Sequence, residues 1–156
     1  MKIRIFRLAI TLFMLLSIHL AKAQQPFAST YIEQTKVGQK IGFQLGYESR
    51  DGYELGIFHQ QHGGLFDLTF TEDGQLPRFY EQTFTGAFFA GNILSGKNTS
   101  LKLMVRTGAV NNFNFAITPS VIGHYRLGKF IRLHCGIGVR ALRPTFQTGI
   151  RIALYN

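Results

Sequence analysis

The sequence predicts an all-β chain: an antiparallel up-and-down β-barrel of about eight strands, transmembrane, with its apolar face turned outward. Three observations predict it. Runs of alternating apolar and polar residues recur along the chain, which is the period of a strand with two unlike faces. Turn signals separate these runs at short intervals, and no stretch carries the period of an amphipathic helix. The polar side of the alternation mixes arginine and lysine with glycine, a combination that a narrow barrel interior needs and a water-facing sheet does not.

Residues 1–23 read as a cleaved signal peptide. Lys2, Arg4 and Arg7 form the positive start, Leu8 to Leu20 the apolar middle, and Ala21-Lys22-Ala23 the small-residue cleavage site. The apolar part falls short of the roughly 20 residues that a membrane-spanning helix requires. Cleavage there leaves 133 of the 156 residues, the size of one domain. It also removes four of the 17 bases and none of the 8 acids, so the net charge falls from +9 to +5. With no basic cluster and an export signal, a nucleic-acid partner is not expected. One cysteine, Cys135, leaves no intramolecular disulfide to form.

Residues 24–35 show little pattern and are expected to be a short periplasmic leader, with 36–156 forming a single barrel domain. Alternation begins after Lys36, with Val37, Ile41, Phe43, Leu45 and Tyr47 opposite Gly38, Lys40, Gly42, Gln44, Gly46 and Glu48. Asp51-Gly52 marks a hairpin, and Tyr53, Leu55 and Ile57 resume the apolar side. A third strand is expected at Phe66–Thr71. A fourth runs from Tyr80 with Phe84 and Phe88 on its apolar side, opposite Glu81, Thr83, Thr85 and Ala87. Leu101, Leu103 and Val105 then oppose Lys102, Met104 and Arg106. In the run from Phe113 to Arg126, Pro119 removes a ladder donor, so a bulge or bend is expected there. Ile131–Arg140 and Phe146–Leu154 form the closing pair around Pro144. Loops at 49–52, 72–79, 109–112 and 141–144 are expected together at one end of the barrel, with both termini at the other.

Which face points inward decides between two barrels. In a soluble, lipocalin-like barrel the apolar face lines a ligand pocket; in a membrane barrel the faces exchange. Glycine favours the second, because Gly38, Gly42, Gly46, Gly56, Gly108, Gly136, Gly138 and Gly149 fall on the polar side. An eight-stranded interior cannot hold a long side chain at every inward position. The expected interior polar network is Lys40, Glu48, Glu54, Asp67, Glu81, Lys102, Arg106, His124, Arg126, Arg132, His134, Arg140 and Arg151. Acids and bases share this face, as buried charges require. Aromatics also fall near the strand ends, where a bilayer interface favours them: Tyr47, Tyr53, Phe70, Tyr80 and Phe113 at one rim, Phe66 and Tyr125 at the other.

With these residues in view, the chain resembles the small outer-membrane β-barrel proteins of Gram-negative bacteria, particularly their short, barrel-only members. The resemblance rests on the signal ending AKAQ, the TFTGAFF strand and the terminal GIGVR…RPTFQTGIRIAL pair. It implies residence in the outer membrane, with outer-membrane lipid and the assembly machinery as partners. Such barrels usually end in an aromatic residue, whereas here Tyr155 is penultimate and Asn156 last. The family carries no universal activity, so the resemblance implies a location and not a reaction.

No chemical motif stands out. His59 and His62 form an H-x-x-H without a further ligand, and no metal or other cofactor is expected. Ser100, Ser120, His124 and Glu81 contain the residue types of a hydrolase without a nucleophile-elbow motif. The expected function is non-enzymatic: a monomeric outer-membrane barrel with a side-chain-filled lumen and an envelope-structural or weakly adhesive role. The alternatives are a soluble lipocalin-like barrel binding an apolar ligand and, behind it, a lipid-modifying enzyme.

Overall fold

The structure is a computed structural model that describes residues 25–35, 38–63, 83–111 and 114–154. The expected signal peptide, the expected strand at 66–71, Asp67 and Glu81 of the network, the aromatics Phe66, Phe70, Tyr80 and Phe113, and the chain end at Tyr155-Asn156 all lie outside these residues.

Eight strands close into one barrel: β1 (Gln25–Thr35), β2 (Gly38–Glu48), β3 (Glu54–His62), β4 (Thr83–Ser95), β5 (Thr99–Val110), β6 (Asn114–Arg126), β7 (Ile131–Arg140) and β8 (Arg143–Ala153). Each pairs antiparallel with its sequence neighbours, and β1 closes the ring against β8 from Phe27↔Ala153 to Thr35↔Thr145. Closure removes every open strand edge.

The first strand corrects the expectation for 24–35. That stretch is not a leader: all of Gln25–Thr35 pairs with β2. It does alternate, but with unusual contents. Phe27, Tyr31 and Glu33 are buried in the lumen, while Thr30 and Ile32 look outward. Two aromatics on the inward side and a threonine on the outward side erase the hydropathy contrast on which strand detection depends. A second correction concerns β4, whose faces are the reverse of those expected. Phe84 and Phe88 are buried in the barrel, whereas Thr85, Ala87 and Phe89 face out. Gly56 on the adjoining β3 and Gly46 on β2 beyond it provide the room, since a Cβ at either would lie within 2.9 Å of the Phe88 ring.

Turn chemistry is local. Gly52 takes the positive φ of 83° that ends the β2–β3 loop, and the Ser49 amide donates to the Tyr53 carbonyl at 2.8 Å. Between β7 and β8, Ala141 and Leu142 hold φ of 50° and 62°, the left-handed pair of a two-residue hairpin, without the Asn-Gly that suits it. Pro119 causes no register shift with β5. Pairing of β6 with β7 starts one residue after it, at Ser120↔Gly138, so its missing N–H falls where that ladder has ended. The irregularity lies instead in β4, between Asn92 and Leu94.

The loops also sort differently from the expectation. The turns at 49–53, 96–98 and 127–130 share the end of the barrel that holds Gln25 and Ala153. The connections at 36–37, 63–82, 111–113 and 141–142 leave the opposite end, so 49–52 is not grouped with 141–144. Tyr47, Tyr53 and Tyr125 consequently share one rim, where Tyr53 stacks on Phe89 with ring centroids 6.1 Å apart. This moves Tyr125 from the rim expected for it to the opposite one.

Candidate functional site: the charged lumen

Strand parity turns every charged residue of the described strands toward the lumen side. Outward positions carry Phe43, Leu45, Ile57, Leu103, Phe115, Ile117, Ile137 and Ile150, with Phe115 73% and Ile137 66% exposed. The lumen therefore holds the charges, together with a buried apolar cluster that includes Phe27, Phe58, Phe84 and Phe88, and the outer wall is apolar. A lipocalin-type ligand would need the reverse.

Inside, the charges form two clusters. In the first, near the end that holds Gln25 and Ala153, Arg151 donates from both terminal nitrogens to the Glu54 carboxylate, Nη2 reaching Oε2 at 2.7 Å. The Lys102 ammonium donates to the same Glu54, to Glu48 at 2.7 Å and to the Gly52 carbonyl at 3.2 Å. Arg132 joins through Glu48 at 2.6 Å. The Arg151 guanidinium lies 3.8 Å from the Phe27 ring centroid, which offers its negative face to the cation.

The second cluster surrounds Glu33. Its two carboxylate oxygens accept from separate guanidiniums, Arg106 on Oε1 and Arg140 on Oε2. Gln60 adds a bond from its amide to Oε2 at 2.6 Å. Arg106 also donates to the Tyr31 hydroxyl at 3.1 Å, and that hydroxyl donates to the Gln60 carbonyl oxygen at 3.3 Å. Tyr31 fits because Gly42 and Gly149 flank it on both neighbouring strands; a Cβ on Gly42 would collide with the phenol ring. Phe84 and Phe58 complete the wall, edge to face at 4.6 Å, with the Arg140 guanidinium 4.8 Å from the Phe84 ring centroid.

Of the expected network, Lys40, Glu54, Lys102, Arg106, His124, His134, Arg140 and Arg151 are buried. Glu48 and Arg132 are partly buried at the mouth, and Arg126 is exposed there. Sequence reasoning missed Glu33, the acid that holds two buried arginines, together with Tyr31 and Gln60. The signal that could have found it is the alternation Phe27, Ser29, Tyr31, Glu33, read for polar-aromatic content instead of hydropathy.

His124 and His134 face each other across the β6–β7 ladder with ring centroids 5.6 Å apart. Neither His124 nitrogen nor the Ser120 hydroxyl has a hydrogen-bond partner among the described residues. A hydrolytic relay needs those bonds, which the described residues do not form; Glu81, the acid considered for it, lies outside them. His59 points outward and is hydrogen-bonded to Thr85 at 2.7 Å. Among the described residues, no three metal-ligating side chains converge.

No protein-family model matches the chain, and no curated protein matches it. Among solved structures, a chain described as "De novo design of transmembrane beta-barrels" superposes with a TM-score of 0.66. The match covers 83% of this chain and 95% of the other at 8% identity, so the likeness is one of fold. The fold is a closed, eight-stranded, all-antiparallel barrel of the kind used by that transmembrane design.

Proposed function

We propose that this protein is a non-enzymatic β-barrel of the Gram-negative outer membrane, exported through the signal peptide at residues 1–23 and placed by the outer-membrane assembly machinery. The observation that carries the reading is the outer wall. Eight strands present apolar residues outward, and no charged residue of a described strand has outward parity. In water such a wall is a large adhesion liability. In hydrocarbon it is the required surface, and ring closure satisfies the backbone there as well.

The lumen is crossed by Tyr31, Phe88, Arg106 and Met104, none more than 1% exposed, which favours a filled plug over an open pore. The role is structural or weakly adhesive. With Gln25 and Ala153 on the periplasmic side, the ends of β3 at His62 and of β4 at Thr83 lie on the external side.

Fractionation with heat-modifiable gel mobility tests this reading: a folded band that shifts on boiling, recovered only with detergent, is expected. Recovery in the soluble periplasm without detergent overturns it. Cysteine labelling in a Cys135→Ser background adds the facing, with a lipid-soluble reagent reaching position 103 and neither that reagent nor a water-soluble one reaching the plugged position 102.

A further inference from the structure

Two cavities meet at the turn between β4 and β5. One is the mouth of the barrel at the terminal end, about 450 Å³, walled by polar groups and by the cations Arg50, Lys97, Arg126 and Arg132, with Glu48 the one acid among the described residues that line it. The other is an apolar groove of about 640 Å³ beside it, lined by Leu94, Leu101, Gly123, Tyr125, Leu133 and Cys135. Gly96, Thr99, Ser100 and His124 line both, so the polar and apolar spaces adjoin across the same turn.

Two features make this junction unlike the rest of the wall. The first is charge. Arg132 is engaged with Glu48, whereas Lys97 and Arg126 are exposed and form no ion pair among the described residues. The Arg126 backbone is held by the Asn98 carbonyl at 2.8 Å, which keeps the two cations on adjacent turns of the same rim. The second is Gly123. The lumen glycines make room for neighbours that a Cβ would strike, as Gly42 does for Tyr31. Gly123 has outward parity, and a Cβ there would meet only the Cys135 carbonyl at 3.7 Å. Packing does not require this glycine. Its effect is a notch in the apolar wall beside the two exposed cations, whereas another apolar groove of the wall, about 740 Å³ among Leu103, Val121, Ile137 and Phe146, is lined by no charged residue among those described.

We propose that this junction binds one anionic glycerophospholipid of the adjoining leaflet, its phosphate between Lys97 and Arg126 and one acyl chain along the Gly123 notch. The proposal rests on the membrane reading above. It commits to an amphiphile because the cations and the notch lie side by side, share four lining residues and are of opposite character. It commits to an anionic headgroup because both cations lack an acid among the described residues. Each juxtamembrane cation contributes about 1 kcal/mol toward an anionic lipid, so two favour it over a zwitterionic one by on the order of tenfold or more.

The test is native mass spectrometry of the mature chain refolded into vesicles of mixed phosphatidylglycerol and phosphatidylcholine and then released from detergent. One retained phosphatidylglycerol is expected, preferred over phosphatidylcholine by on the order of tenfold. Lys97→Gln with Arg126→Gln should bring the preference close to one while the folded, heat-modifiable band persists. Gly123→Leu should reduce retention of both lipids without loss of folding, since a bare surface charge effect would ignore the notch. Lys129→Gln, whose ammonium sits 5.4 Å from the Phe130 ring centroid and outside both cavities, should change nothing. A folded barrel that retains both lipids equally, or ignores Gly123→Leu, overturns the site. Loss of the preference on adding inorganic phosphate makes the mouth a free-anion site and overturns the lipid assignment. Failure of the chain to enter vesicles at all counts against the membrane reading instead.

Discussion

Glu33 and Glu54 do the same job at different places in the lumen and are built differently. Glu33 is fully buried and shared by two arginines, one on each carboxylate oxygen; Gln60 adds a third donor, and the Tyr31 hydroxyl bridges Arg106 to Gln60. Glu54 takes one arginine bidentate and shares its lysine with Glu48, whose side chain is 13% exposed. The first arrangement is closed to water, with Glu33 and Arg106 both fully buried. The second grades into the solvated mouth and has a spare carboxylate. A buried cation without its partner is expensive, and the same cation near water is not. Position along the barrel axis therefore decides what each acid contributes.

The comparison can be broken by substitution, with stability read from denaturant midpoints in lipid vesicles. Glu33→Ala should be the most damaging, costing about 3–5 kcal/mol, because the fully buried Arg106 loses the one acid it meets among the described residues and Arg140 loses its bond to the same carboxylate. Glu54→Ala should cost less, about 3 kcal/mol, since Lys102 keeps Glu48. If the order is reversed, the distinction between closed and graded clusters is wrong. Tyr31→Phe removes one hydroxyl that both accepts from Arg106 and donates to Gln60, and should cost about 1 kcal/mol. Glu48→Gln, at the mouth, should cost about 0.5 kcal/mol and less in high salt. A cost equal to that of Glu54→Ala would show the mouth to be as dry as the interior. Ala141→Asn with Leu142→Gly touches neither cluster. It should stabilise by about 0.5–1 kcal/mol by relieving two left-handed residues in a turn that favours Asn-Gly.

The same contrast explains what is legible without the structure. Glu54, Lys102 and Arg151 lie on strands whose outward sides are plainly apolar, such as Leu55 and Ile57 or Ile150 and Ile152, so parity alone puts them inside. Glu33 lies on β1, whose outward side includes Thr30 and whose inward side includes Phe27 and Tyr31. β4 shares this inversion, and hydropathy misreads both strands. Phe27 and Phe88 meet inside the barrel with centroids 6.1 Å apart, an aromatic layer between the charged ones. Hydropathy cannot identify such a layer, because phenylalanine suits a lipid face and a packed lumen equally well.

By itself the sequence determined the all-β class, seven of the eight strands of the ring, the side on which most charges fall and the need for glycine beside them. Those follow from period and side-chain volume, which are local properties. Only the tertiary structure decided that Gln25–Thr35 closes the ring, which face of β4 turns inward, which acid meets which base, and that the Gly123 notch opens beside Lys97 and Arg126. These depend on register between strands distant in the chain. Register is settled when Tyr31 finds Gly42 and Gly149, and Phe88 finds Gly46 and Gly56, as the barrel closes.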